Sequence, residues 1–103
     1  MKYQVAGQQL REIREKLSLT LKDVESRSRK IAHTRESFDY LFTAGRLSQV
    51  ENSNSLPSLY KLASLSEIYR IPYSELLRVY GIETDSLASR VPSEAEPNIQ
   101  LAS

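Results

Sequence analysis

The residue types on which most enzymes and metal sites depend are scarce in this chain of 103 residues. It has no cysteine and one histidine, His33, so thiol chemistry, disulfides and His- or Cys-based metal sites are excluded. Gly7, Gly45 and Gly81 lie too far apart to form a phosphate-binding loop. A Ser-His-Asp arrangement would need His33, which lies among arginines without a paired carboxylate. We therefore expect a binding module without cofactor or metal rather than an enzyme.

The charged side chains are the next candidates for chemistry, and they are unevenly distributed. The 14 Lys and Arg residues against 13 Asp and Glu residues give a net charge of +1. Residues 1–36 carry +4, residues 37–81 carry 0 and residues 82–103 carry −3. A basic segment suits an acidic partner such as nucleic acid, although charge alone favours an ordinary solvated helix face.

No part of the sequence predicts insertion into a membrane. No apolar run approaches the ~18–20 residues that a membrane-spanning helix needs. The first five residues, MKYQV, lack the apolar core of a signal peptide. We therefore expect a cytoplasmic protein that makes no contact with a membrane.

Two amphipathic helices are predicted in the first third of the chain. The first covers residues 4–17, because apolar residues follow the 3.6-residue period of one helix face: Ala6, Leu10, Ile13 and Leu17. Thr20 is a natural N-cap of the second helix, with Asp23 in its first turn. This helix is predicted to end at about Ala32, with an inner face of Val24, Ser28 and Ile31.

Residues 33–42 fit two interpretations. Phe38, Tyr40 and Phe42 alternate with Asp39 and Leu41, a pattern that a short extended segment would produce. A loop anchored by apolar side chains would produce the same pattern. Both interpretations stay open.

A third and a fourth helix are predicted in the middle of the chain. Thr43 is a candidate N-cap for a short helix that ends at Asn52, and the turn-forming run Asn52-Ser53-Asn54-Ser55 follows it. Pro57 suits the first turn of the fourth helix. The predicted inner stripe of that helix is Leu59, Leu62, Leu65, Ser66 and Tyr69.

The folded part of the chain is predicted to end with a fifth helix. It covers residues 73–80, with Leu76 and Leu77 inward, and Gly81 suits the position that ends it. Residues 82–103 show no sustained apolar period and predict a disordered, acidic tail or linker. One domain over residues 1–81 is therefore expected.

Two segments of the sequence resemble one protein family. They are GQQLREIREKLSLTLKDV, residues 7–24, and RLSQVENSNSLPSLYKLASLSEIYRIPYSELL, residues 46–77. The order of LRxxR, a Thr-capped helix, LSxxEN, Pro-Ser and SELL resembles the Cro/repressor type of helix-turn-helix domain, the XRE family. The resemblance implies an all-α, five-helix, phage-repressor-like fold that binds double-stranded DNA. It also implies a homodimer and a bacterial or phage-type regulator.

The resemblance assigns a structural role to two charged residues. In the family, an arginine of helix 1 and a glutamate at the end of helix 3 form an ion pair, and Arg14 and Glu51 occupy these positions. A bidentate pair of this kind is geometrically specific.

The resemblance also implies which residues meet DNA. Helix 3 would enter the major groove, where its exposed positions contact base edges: Thr43, Ala44, Gly45, Arg46, Ser48 and Gln49. Arg46 can donate a fork to guanine, and Gln49 can pair with adenine. The phosphate contacts would come from the start of helix 2 and the loop after helix 3: Thr20, Lys22, Asn52, Ser53 and Asn54.

The chain departs from the family between helices 2 and 3. The family has a three- to four-residue turn there, whereas this sequence has an insertion of roughly a dozen residues within about 29–42. Glu25 stands where the family usually has alanine. The insertion could extend helix 2 and then form an ordered loop held by its three aromatic residues. Arg29 and Lys30 either contact the DNA backbone or form a solvated or partner-facing surface.

The tyrosines of the last two helices give a further choice. Tyr60, Tyr73 and Tyr80 could form an exposed aromatic patch of the kind found at dimer interfaces. Ordinary partial burial is the alternative for each of them.

The leading hypothesis is a sequence-specific DNA-binding transcriptional regulator that represses by occluding a promoter. The alternative is a protein–protein interaction module, or an antitoxin-like protein, on the same fold with weak or no base readout. The insertion, Glu25 and the modest charge favour this alternative.

Overall fold

The computed structural model describes residues 4–53 and 55–82, and those residues form helices and loops without any strand. Its elements are α1 (Gln4–Lys16), α2 (Leu21–Thr34), a 3₁₀ turn (Phe38–Tyr40), α3 (Ala44–Asn52), α4 (Leu59–Tyr69) and α5 (Tyr73–Val79). The prediction of an all-α fold with five helices is confirmed for these residues. The predicted tail beyond Ile82, like Asn54, lies outside the described residues.

One apolar core joins all five helices. α1 packs on α3, α2 packs on α3 and α4, and α5 packs on α4. The fully buried apolar side chains are Leu10, Val24, Phe42, Leu47, Val50, Leu62, Leu65 and Leu76. Full burial of such a side chain stabilises the fold by ~1.5–3 kcal/mol, so this core is the main source of stability.

The first helix ends one residue earlier than predicted. Ser18 adopts a left-handed conformation (φ 59°), which turns the chain after Lys16. As a result Leu17 leaves the buried stripe and is 45% exposed, whereas Leu19 is buried. The prediction for Leu17 was wrong because the helical period stops before it.

The second helix begins as predicted and ends two residues later. The Thr20 side chain accepts a hydrogen bond from the Asp23 N–H (3.0 Å), and the Asp23 carboxylate accepts one from the Thr20 N–H (2.8 Å). This reciprocal bonding is a capping box. The Thr20 N–H lowers the pKa of the Asp23 carboxyl, since a hydrogen bond to the charged form favours that form.

Residues 35–43, here the connecting loop, form a loop with one 3₁₀ turn and no extended strand. Of its three aromatic residues, Phe42 is fully buried and Tyr40 is half-buried. Phe38 is 86% exposed, so the prediction that it anchors the insertion was wrong.

Two buried serines hold the connecting loop instead. The Ser28 hydroxyl of α2 accepts a hydrogen bond from the Phe42 N–H (2.8 Å), and the Ser64 hydroxyl of α4 donates one to the Tyr40 carbonyl (2.6 Å). The Tyr40 ring also meets the Tyr60 ring edge-on, with centroids 5.3 Å apart. The loop is therefore tied to both helices on which it lies.

The start of α4 differs from the prediction. Its N-cap is Ser58, whose hydroxyl accepts from the Lys61 N–H (3.2 Å), so Pro57 precedes the helix instead of forming its first turn. Leu59 is then 62% exposed and does not belong to the inner stripe. The prediction was wrong because the helix begins at Leu59, which places this residue at the exposed end of the stripe.

The last helix is close to the prediction, ending at Val79 instead of Tyr80. Gly81 adopts φ 81°; its N–H bonds the Arg78 carbonyl, and the Ile82 N–H bonds the Leu77 carbonyl. This is the Schellman arrangement, which favours glycine at that position.

The predicted patch of Tyr60, Tyr73 and Tyr80 does not form. Tyr80 is buried, and burial raises the pKa of its hydroxyl to about 12. Tyr73 is half-buried and donates a hydrogen bond to the Leu59 carbonyl (3.2 Å), while Tyr60 is exposed.

Candidate nucleic-acid interface

The C-terminal end of α3 is fixed to α1 by a buried bidentate ion pair. Arg14 Nε donates to Glu51 Oε2 (2.7 Å), and Arg14 Nη2 donates to Glu51 Oε1 (2.9 Å). The third nitrogen, Nη1, donates to the Leu19 carbonyl (2.9 Å). The pair expected from the family resemblance is present. It joins α1, the following turn and α3 at one point.

The pair is electrostatically compatible with its buried surroundings. Hydrogen bonds to Glu51 raise the pKa of the Arg14 guanidinium, because they favour its charged form. The phenol of Tyr69 lies beside the pair, where burial and the Glu51 carboxylate raise the pKa of its hydroxyl. The Tyr69 hydroxyl therefore stays protonated, while Arg14 and Glu51 compensate each other's charge.

Gly7 lets α1 and α3 approach at this same end. A methyl group on Gly7 would lie 2.8 Å from the Glu51 carbonyl oxygen and closer still to that of Val50. Those atoms are backbone and cannot rotate away. The sequence did carry a signal for this contact, because a lone glycine within an amphipathic helix often marks close packing.

The N-terminal end of α3 is held by hydrogen bonds at the surface. The Thr43 hydroxyl accepts from the Arg46 N–H (3.2 Å), which makes Thr43 the N-cap. Glu25 of α2 accepts from the Ala44 N–H (2.6 Å). That bond, followed by the one from Arg29, lowers the pKa of the Glu25 carboxyl. The residue that departs from the family pattern therefore braces α2 against the start of α3.

Two predicted base-reading residues bond to each other. Arg46 Nη1 donates to Gln49 Oε1 (2.9 Å) and to the Ser55 hydroxyl (3.4 Å). Arg46 is half-buried, whereas Gln49 is exposed. To contact bases, Arg46 and Gln49 would have to break the hydrogen bond between them. Arg46 could then donate to guanine, and Gln49 could pair with adenine.

The remaining predicted base-reading residues lie along the same helix. Gly45 is exposed and a methyl group on it would meet no atom within 4 Å. Ala44 and Ser48 are half-buried. The Asn52 side chain donates from Nδ2 to the Ser48 carbonyl (2.8 Å) and to the Ser48 hydroxyl (3.4 Å). The predicted set is therefore contiguous on α3, with Thr43, Gly45 and Gln49 its most accessible members.

The predicted phosphate-binding residues form two separate groups. Thr20 and Lys22 lie at the start of α2, where the Thr20 hydroxyl is engaged in the capping box and Lys22 is exposed. Asn52 and Ser53 lie at the end of α3, and the Ser53 hydroxyl donates to the Gln49 carbonyl.

Arg29 and Lys30 lie exposed on the outer side of α2. Arg29 Nη2 pairs with Glu25 Oε2 at 2.9 Å, one helical turn earlier. Lys30 has no ion pair among the described residues. The two basic residues are therefore not equivalent, since one of them already belongs to the brace at the start of α3.

The described residues contain no cluster of three or more His, Asp or Glu side chains that could hold a metal ion. Among the same residues, no helix has the length and apolar character needed to cross a membrane. No protein-family model matches this chain, and comparisons with curated proteins and with solved structures find no match.

Proposed function

We propose that this chain is a sequence-specific DNA-binding transcriptional regulator of the helix-turn-helix type, reading the major groove with α3. The observation that carries the proposal is the buried Arg14–Glu51 pair, which joins α1 to the end of α3. With one end fixed in this way, α3 and its N-cap keep Thr43, Gly45 and Gln49 exposed at the surface. A helix held at one end, with accessible polar side chains on its exposed face, suits major-groove recognition.

The proposed mechanism is promoter occlusion by a homodimer on two half-sites. Half-sites one helical turn apart are separated by ~34–36 Å in such complexes. Gln49 and Arg46 supply the sequence-specific hydrogen bonds, and the start of α2 and the loop after α3 supply phosphate contacts.

Titration of a random-sequence duplex at low salt, followed by fluorescence anisotropy, tests DNA binding itself. We expect non-specific dissociation constants of ~10⁻⁴–10⁻⁶ M at physiological salt and tighter values at lower salt. Absence of binding below millimolar concentration would contradict the proposal. Selection of bound duplexes from a random pool, followed by sequencing, should then return a palindrome.

Gln49→Ala tests base reading, and Gln9→Ala is the matched control, because Gln9 is an exposed glutamine on α1. Loss of a bidentate base contact removes ~1–3 kcal/mol of discrimination against the wrong base. We expect Gln49→Ala to bind selected and random duplexes more equally, while Gln9→Ala keeps the wild-type ratio.

The contribution of Arg29 and Lys30 is tested by the salt dependence of binding. Neutralising both should lower the slope of log affinity against log salt by about 2 if they contact phosphates. An unchanged slope would assign them to solvent or to a protein partner.

The second candidate is a protein–protein interaction module on the same fold. Glu25 favours it, because a carboxylate 2.6 Å from the first N–H of α3 places negative charge where a DNA-binding helix would approach the duplex. In that case the duplex titration fails while the fold is intact by thermal melting.

A further inference from the structure

The connecting loop and the second half of α2 border a cavity of about 440 Å³ that is open to solvent on one side. Ala32, Phe38 and Leu41 form its apolar walls, and Arg29, His33 and Glu36 add charged or polar groups. Cavities of ~300–1,000 Å³ with mostly apolar walls are typical binding sites. This one lies entirely on segments of the insertion region and is separate from the polar face of α3.

Phe38 stands at this cavity with its ring exposed to solvent. It is the most exposed of the large apolar side chains described, at 86%. Phe42, four residues later in the same loop, is fully buried, so the two phenylalanines of the loop differ completely in exposure. This surface therefore carries both a protruding aromatic ring and an apolar cavity that could accept such a ring from another molecule.

The charges around the cavity are of both signs. Glu36 of the connecting loop is exposed and has no ion pair among the described residues. Arg29 of α2 lines the same cavity, and its guanidinium also pairs with Glu25. A phosphate backbone presents only negative charge, so this mixture does not suit DNA. In a contact related by a two-fold axis the same patch faces itself, so the Glu36 carboxylate of one copy can pair with the Arg29 guanidinium of the other.

We propose that this surface is a self-association site, in which Phe38 of each copy enters the cavity between α2 and the connecting loop of the other. The contact is isologous, with the same residues used by both copies. Each copy buries one aromatic ring and the residues next to it, which is a small interface area. We therefore expect weak, concentration-dependent association. Such a dimer would supply the homodimer of the proposed function and in that respect rests on it.

Sedimentation equilibrium of wild type, Phe38→Ser and Leu59→Ser tests the proposal. Leu59 is the matched control, because it is an exposed apolar residue on α4, away from the cavity. We expect the wild-type chain to dimerise and Phe38→Ser to dimerise at least about tenfold more weakly, equivalent to about 1.4 kcal/mol. Leu59→Ser should retain the wild-type association constant.

The charge contribution is tested by Glu36→Lys, with Glu12→Lys as the control of equal charge change on exposed α1. Glu36→Lys should weaken association, and Glu12→Lys should not. Thermal melting of each variant verifies that the fold persists, and substitution of an exposed side chain is expected to preserve it.

Two outcomes would overturn the proposal. The first is a wild-type chain that stays monomeric at the highest concentration reached, and the second is Phe38→Ser with wild-type association. If that variant also loses affinity for duplex DNA, the surface belongs to DNA binding instead. Because association is measured without DNA, its failure is distinguishable from failure of the proposed DNA binding.

Discussion

The two ends of α3 are held by different kinds of interaction. At its C-terminal end, Gly7 brings the backbone of α1 against that of α3, and the buried Arg14–Glu51 pair is protected from water. At its N-terminal end, the connecting loop and Glu25 hold the helix through hydrogen bonds near the surface. One end is therefore fixed by close packing, and the end that carries the proposed base-reading residues is fixed by replaceable bonds.

The largest predicted effect comes from Glu51→Gln. It leaves a buried arginine without its counter-charge, and breaking a buried pair in this way costs ~3–5 kcal/mol. Urea unfolding measures the loss. The matched control is Glu15→Gln, which breaks the exposed Arg11–Glu15 pair of α1 (3.1 Å) and should cost less than ~1 kcal/mol. Equal losses in the two variants would contradict a special role for the buried pair.

Gly7→Ala should give the next largest effect. The added methyl group meets backbone carbonyls of α3, and overpacking of this kind costs ~1–3 kcal/mol. Gly45→Ala has open space around it and should instead stabilise α3 by ~0.5–1 kcal/mol. The free energy of unfolding should thus change with opposite signs at the two ends of α3, and a shared sign would be evidence against the contrast.

Ser28→Ala tests how the connecting loop is held before α3 begins. The buried Phe42 N–H loses its acceptor, and an unsatisfied buried donor costs ~1–3 kcal/mol. Ser26→Ala on the exposed side of α2 is the control and should change stability by less than ~0.5 kcal/mol. Chemical denaturation compares the two, and a Ser28 variant as stable as the Ser26 variant would remove this anchor.

The smallest effect is expected from Glu25→Gln, and it should depend on pH. The folded-state pKa of Glu25 lies below its ordinary value of 4.5, so its charged form stabilises the fold above that value. This contribution is lost as the pH falls through the depressed pKa. Wild type should therefore exceed Glu25→Gln in stability at pH 7 and lose that advantage in acid.

Hydrogen exchange of the Ala44 amide gives a local measure of the same bond. Ala44 N–H donates to Glu25, so its exchange should become faster in Glu25→Gln at pH 7. An advantage of wild type that persists unchanged in strong acid would show that the carboxylate charge is not the cause.

Helix positions and caps were largely predictable from the sequence. Thr20 and Thr43 cap the helices for which they were predicted, and Gly81 ends α5 as expected. A cap bonds to an N–H only two or three residues away, so the sequence around it contains both partners. The errors at Leu17 and Leu59 lie at helix boundaries, where the apolar period continues in the sequence but the buried face of the helix does not.

The candidate site was predictable in part. The positions of Arg14 and Glu51 followed from the resemblance to a known family, and the bidentate geometry agrees with that expectation. The mutual bond between Arg46 and Gln49 is local to one helix turn and was missed. Glu25 was noticed as a departure from the family, but its bond to Ala44 joins residues 19 positions apart. No local pattern predicts such a bond.

The sequence by itself determined the five helices, because apolar periodicity and capping depend on residues within about one turn of each other. Only the tertiary structure decided how the connecting loop runs. Phe38 and Phe42 are both phenylalanines in one short segment, yet one is exposed and the other fully buried. The difference comes from Ser28 and Ser64, which fix the loop backbone from two helices distant in sequence.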